Sequence, residues 1–237
     1  MKTHRIAASA CIAIILLTLS YLVNAQSAEV VTTPPLITKT LVAKPVDFRY
    51  VRPTSMMKFR NYVFDTVGPY PIFVSAGVAG VDQFNNTPPE WHRNSSGFGK
   101  RFASDFGIST ITTSTRYVMA AALKEDTLYY RCNCTGFLPR ISHATLSTFT
   151  GRRGDDGHSV ISLSSILSPY AGAAASVYGW YPDRYGVKDA FRMGNYSLLG
   201  AVAGNVALEF FYIGPNSLMG RMHLNNRHGS FVEGENR

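Results

Sequence analysis

Residues Ser159–Tyr181 read SVISLSSILSPYAGAAASVYGWY, the longest apolar run outside the N-terminus and one without a single charged residue. Its length exceeds that of an ordinary strand, and Ser164, Ser168, Gly172 and Ser176 recur every four residues, so small side chains fall on one face of a helix. Pro169 interrupts the run and predicts a kink rather than an end. A helix with such a stripe lets a neighbouring backbone approach closely. The run therefore predicts a mainly α protein packed through small residues.

The same spacing recurs on both sides. Ala76 and Gly80, Ala103 and Gly107, and Ser197, Gly200 or Ala201, and Gly204 each stand one turn apart, the last group containing a formal GxxxG. Helices are expected over Met56–Phe64 behind the hydroxyl start signal Thr54-Ser55, over Ile72–Phe84, over Phe98–Leu123, over Leu138–Thr150, over Ser159–Tyr181 and over Lys188–Tyr212. Gly68-Pro69, Asn85 to Pro89, the charged Gly151–Gly157 segment and Pro182–Gly186 punctuate them. The Thr and Ile content of Ile108–Thr115 also permits a strand. The fold expected is a Gly/Ala-rich bundle of about five or six helices, soluble or membrane-associated. A transmembrane β-barrel is the remaining alternative, disfavoured because the apolar runs are continuous rather than alternating.

Ahead of the bundle, Met1 to Arg5 is basic, Ile6–Leu22 is apolar, and Val23-Asn24-Ala25 offers a small-x-small cleavage site. Residues 1–25 thus predict an export signal, with an uncleaved inner-membrane anchor as the alternative. The expected destination is the periplasm or the outer membrane. Residues 26–53, rich in Thr, Val and Pro, predict an extended tether, residues 54–213 the helical domain, and residues 214–237 a loosely ordered tail.

The formal charge of +8 becomes +6 when Lys2 and Arg5 leave with the leader, because no acidic residue precedes Gln26. This balance favours an anionic partner, membrane lipid or another envelope component, or a second copy. The basic residues are scattered rather than clustered, which argues against nucleic acid. Charged residues make up 16% of the chain, well under the roughly 25% usual for a soluble domain.

Chemistry is sparse. Cys132 and Cys134 stand as Cys-Asn-Cys, either free thiols or partners in a small local disulfide. No zinc spacing, nucleotide loop, nucleophile elbow or HExxH element is present, so neither metal nor cofactor is expected. One reactive-looking cluster remains: Asp155, Asp156 and His158 beside Arg152 and Arg153, with His143 on the preceding helix. These residue types can bind phosphate or exchange protons. They would suit a hydrolase of phosphate-bearing or lipid substrates, although a charged, Gly-rich segment between apolar helices is also what a solvent-exposed turn looks like. Trp91, within Glu90-Trp91-His92-Arg93, is a candidate interfacial anchor or a cap on the core. Glu209, set among Val206, Leu208, Phe210 and Phe211, reads as exposed on an amphipathic helix or, if buried, as paired with Arg101 or Arg116.

Pro88-Pro89-Glu90-Trp91, Gly97-Phe98-Gly99-Lys100-Arg101-Phe102, Glu125-Asp126 through Arg131, and Gly136-Phe137 through Arg140 to His143-Ala144 resemble a family of uncharacterised exported bacterial envelope proteins. The likeness spans roughly Met57–Tyr212. It implies that Glu125-Asp126, Arg140 and His143 belong to one polar network, and it carries no activity. The expectation is a non-enzymatic envelope protein, membrane-associated or self-associating, with the hydrolase as the alternative.

Overall fold

The protein is described by a computed structural model, in which residue 50 and residues 52–130 and 136–212 are described. The segments expected to be a leader (1–25) and a tail (214–237), nearly all of the expected tether 26–53, and Cys132 and Cys134 lie outside the described residues.

The chain is mainly helical, with the expected number of helices. Helix α1, Ser55–Val67, starts where the Thr54 side chain accepts from the Met57 amide at 3.3 Å. It stops at Gly68, whose extended backbone leads into Pro69, the first residue of α2, Pro69–Asn85. A Cβ on Gly68 would lie 2.3 Å from the Phe64 carbonyl oxygen, so the break admits only glycine. After the 3-10 turn Pro89–Trp91, Asn94 caps α3, Ser95–Leu123, by accepting from the Gly97 amide at 2.7 Å. Ile108–Thr115 is helical, not a strand.

Two expectations are corrected between Glu125 and Leu163. The Gly151–Gly157 segment is not a plain break, and Ser159–Ile161 is not helical. Strand β2, Thr150–Arg153, follows α4, Phe137–Phe149, and turns into β3, His158–Ile161. With β1, Glu125–Asp126, they form an antiparallel sheet in the order β1-β2-β3. Positive φ at Gly154 and Gly157 makes the tight turn. Strands of four residues leave too short an alternation to register against a neighbouring apolar run.

Helix α5, Leu163–Gly179, carries Pro169 inside it without ending there. Helix α6 runs Val187–Ala207 and then widens into one π-helical turn, Leu208–Tyr212, instead of continuing regularly to Tyr212.

Helix directions follow from contacts at the two ends. At one end the Trp180 indole donates to Ser104 Oγ at 2.8 Å and Arg184 pairs with Glu90 at 2.6 Å. At the other, Ser164 meets Glu125 and Arg140 meets Glu209. Helices α2, α3, α5 and α6 therefore run alternately up and down between a Trp91/Tyr181 end and a sheet end. Helix α3 is the common neighbour, packing on α5, α2 and α1, while α6 packs on α5 and α4.

The α3–α5 seam is the closest. A Cβ on Gly172 would sit 2.2 Å from Thr112 Oγ1 and 2.8 Å from the Ile108 carbonyl oxygen. Ser164, Ser168, Gly172, Ala173 and Ser176 of α5 are all buried. Gly194 does the same for α5 and α6, lying against the Tyr170 ring.

Candidate functional site

Among the described residues the buried side chains are mostly small or polar, and many large apolar ones are exposed. Buried apolar side chains are mostly alanine (Ala79, Ala120, Ala144, Ala173, Ala190), joined among the described residues by Val177, Leu128 and Tyr129. Arg101, Glu125, Asp126, Glu209 and several Ser and Thr residues are buried beside them. Outside stand Met56, Phe59 and Val67 of α1, Phe73, Val81 and Phe84 of α2, Phe137, Leu138 and Leu146 of α4, Leu163 and Leu167 of α5, and Phe191, Tyr196 and Leu199 of α6. Soluble domains ordinarily bury large aliphatic side chains and expose charged ones.

The apolar exterior is a waist. No charged residue occurs in α2 before Asp82, in α3 between Asp105 and Arg116, anywhere in α5, or in α6 after Arg192. Charges gather at the two ends. A shallow groove on α1, lined by Phe59, Arg60, Val63, Phe64, Val67 and Gly68, opens on this surface.

At the sheet end each buried charge is matched. Glu125 accepts from Ser164 Oγ at 2.6 Å, from Ser162 Oγ at 2.9 Å and from Arg153 at 3.0 Å. Burial alone would raise the Glu125 pKa, but those donors together hold it below the ordinary glutamate value. Asp126 accepts from the Leu128 amide, the Tyr50 hydroxyl and, in a very short contact, the Tyr130 hydroxyl. Burial and the Asp126 charge push both phenols up, and Arg152 lies over both rings. Glu209, with a fully buried side chain, accepts from Arg140 Nε at 2.8 Å and from Tyr129 Oη at 2.9 Å. Its partner is thus Arg140, and the exposed reading of Glu209 is corrected, as are the pairings with Arg101 and Arg116. Arg116 holds Asp65 instead, with Tyr117 donating to the same carboxylate.

The candidate reactive residues do not converge. Asp155 is exposed and pairs with Arg52 at 3.0 Å. Asp156 and His158 pair with each other at 2.9 Å, both exposed, at the tip of the hairpin. That mutual contact holds Asp156 below the ordinary aspartate value. His143 is turned elsewhere, edge-on to Tyr129 with a ring-centroid separation of 6.1 Å, and its Nδ1 is buried without a hydrogen bond among the described residues. Glu125-Asp126, Arg140 and His143 all lie at the sheet end, but Glu125, Asp126 and Glu209 each keep their own set of donors. Among the described residues no group of three or more His, Cys, Asp or Glu could hold a metal ion.

The candidate packing residues divide. Gly172 lies in the α3–α5 seam and Ser176 is buried, a Cβ on Gly107 would meet the Trp180 ring at 3.4 Å, and one on Gly204 would meet the Tyr70 hydroxyl. Ala103 is exposed, Ala76 is half-buried, and Gly80 and Gly200 face open space.

At the opposite end Arg101 is buried and uses all five guanidinium hydrogens. Nε donates to the Thr87 carbonyl, Nη1 to Gln83 Oε1 and the His92 carbonyl, and Nη2 to the Pro88 carbonyl and Asn86 Oδ1, at 2.6 to 3.5 Å. Trp91 stacks at a tilt on Tyr181 at 5.2 Å. Sequence reasoning missed this clamp, whose acceptors are mostly backbone carbonyls and leave no side-chain signature.

Comparison of the chain with protein-family models, curated proteins and solved structures finds no match.

Proposed function

We propose that the chain is a non-enzymatic cell-envelope protein, exported by its leader and belonging with the exported envelope proteins it resembles, whose bundle is seated in lipid along its apolar waist. The observation that carries this reading is the inverted distribution of side chains, polar and small within, large and apolar without. Where lipid is the solvent, helices associate through small residues, and ionisable groups turn inward and pair. The exposed apolar residues lie on several helices, and exposed apolar surface of this kind marks a site of membrane or protein contact.

Among the described residues no helix is long and apolar enough to cross a membrane. Helix α5 has 17 residues, about 25 Å at 1.5 Å per residue, against a hydrocarbon core of about 30 Å. Net positive charge favours an anionic leaflet.

The test is fractionation of the full chain expressed in a bacterial host. It is expected to remain with membranes through a carbonate wash and to leave them only with detergent. A freely soluble, detergent-free monomer would overturn the proposal. A defined detergent-free oligomer would also overturn the lipid contact and assign the waist to self-association.

A further inference from the structure

Asp105 is half-buried, and one of its two oxygens, the buried Oδ2, is left without a donor among the described residues. The titratable and charged groups around it are Asp82 from α2, Arg101 one turn earlier on α3, and Tyr181 from the segment after α5. Asp82 is like-charged, so the two carboxyls oppose each other's ionisation. Arg101 is the only cation of the set, and its five hydrogens are already committed to Gln83, Asn86 and the carbonyls of Thr87, Pro88 and His92.

We propose that Asp105 is a proton-operated latch on the 86–92 loop: a neutral carboxyl leaves Arg101 to the loop, and an ionised one draws Arg101 away and frees it. Residues four apart on a helix share a face, so the charge of an ionised Asp105 acts on Arg101 across a single turn of α3. Every hydrogen that Arg101 turns toward Asp105 is one withdrawn from the loop carbonyls, because the guanidinium has none spare. Burial first, then the Asp82 charge, push the Asp105 carboxyl up to about 8, so the change falls in a range that an exported protein meets. Tyr181 is pushed above the ordinary tyrosine value by its own burial and stays neutral throughout.

The chain supplies its own reporters. It contains two tryptophans, and both lie at this junction: Trp180 donates to Ser104, the residue before Asp105, and Trp91 ends the clamped loop against Tyr181.

The experiment is tryptophan emission of the full chain titrated from roughly pH 6.5 to 9.5, below ordinary tyrosine ionisation. Wild type is expected to show a one-proton transition near pH 8. D105N should be flat across that range with the low-pH spectrum, D82N should move the midpoint to lower pH, and H92N should keep it, which separates the latch from the neighbouring imidazole. A flat wild-type titration, a D105N variant that keeps the transition, or an H92N variant that loses it would overturn the proposal. Should D105N fail to fold, an unmoved midpoint in D82N would overturn it equally. None of these readouts depends on lipid contact, so the latch and the membrane seat fail separately.

Discussion

Arg140 on α4 and Glu209 in the π-helical turn after α6 meet at 2.8 Å, and the same guanidinium donates to Glu209's own backbone carbonyl at 2.6 Å. One side chain thus neutralises a fully buried carboxylate and satisfies a carbonyl near a helix end, where intrahelical donors run out. Arg140 also lies over the Phe210 ring, 4.3 Å from its centroid.

Removing one partner leaves the other charge buried. R140L is expected to lower the unfolding free energy by about 3 kcal/mol, and R140L with E209L to lose less than R140L alone. Denaturant unfolding of the three proteins checks this. A double variant no more stable than R140L would show that the pair does not act as a unit.

Glycines in the seam and on the waist should respond with opposite sign. G172A forces a Cβ against Thr112 and the Ile108 carbonyl and is expected to cost about 1–3 kcal/mol. G80A meets nothing within 4 Å and should gain up to about 1 kcal/mol from helix propensity. Thermal melts of the two variants compare them directly.

Stability should fall on both sides of a mildly acidic optimum. Asp105 is raised, so between its unfolded value near 4 and about 8 the native state holds a proton that the unfolded state has released, and stability drops as pH rises through that window. Glu125 is lowered, so its contribution is present above the ordinary glutamate value and is lost as pH falls through the folded one. D105N should flatten the alkaline limb and stabilise the protein at pH 7 by about 1–3 kcal/mol. E125Q should flatten the acid limb. Melting temperature against pH for the two variants is the measurement.

The hairpin tip should be dispensable. D155N, D156N and H158Q remove only exposed pairs, and unfolding curves are expected to overlay the wild type. Their membrane recovery should also be unchanged. Loss of a phosphoesterase activity on replacing them would instead revive a catalytic role for the tip.

Polar substitutions on the waist should release the protein from membranes. Phe73 and Phe84 on α2 are 69% and 81% exposed, so F73Q with F84Q leaves the interior packing alone. Vesicle flotation should fall by at least tenfold, since each phenyl ring contributes roughly 1.5–3 kcal/mol when removed from water. Unchanged flotation would argue against α2 as a lipid-facing surface.

The helices were legible because their boundaries are chemical. Thr54, Gly68-Pro69 and the run from Asn85 to Pro89 mark starts and stops that no tertiary contact needs to supply. The hairpin was not legible, since four-residue strands offer little periodicity and Ser159–Ile161 continues smoothly into the apolar run of α5. The Arg101 clamp was hidden for a different reason: most of its acceptors are carbonyls, which every residue has.

The sequence by itself determined which residues share a helix face, because a period of 3.6 is a property of the backbone. Only the tertiary structure decided which face turns inward. Gly172 and Gly80 belong to the same kind of small-residue stripe, yet one lies at the α3–α5 seam and the other in open space. The partner of Glu209 was likewise a tertiary matter. Arg140 stands 69 residues away, and a buried carboxylate signals only that a cation must come, with the order of the packed helices selecting which one arrives.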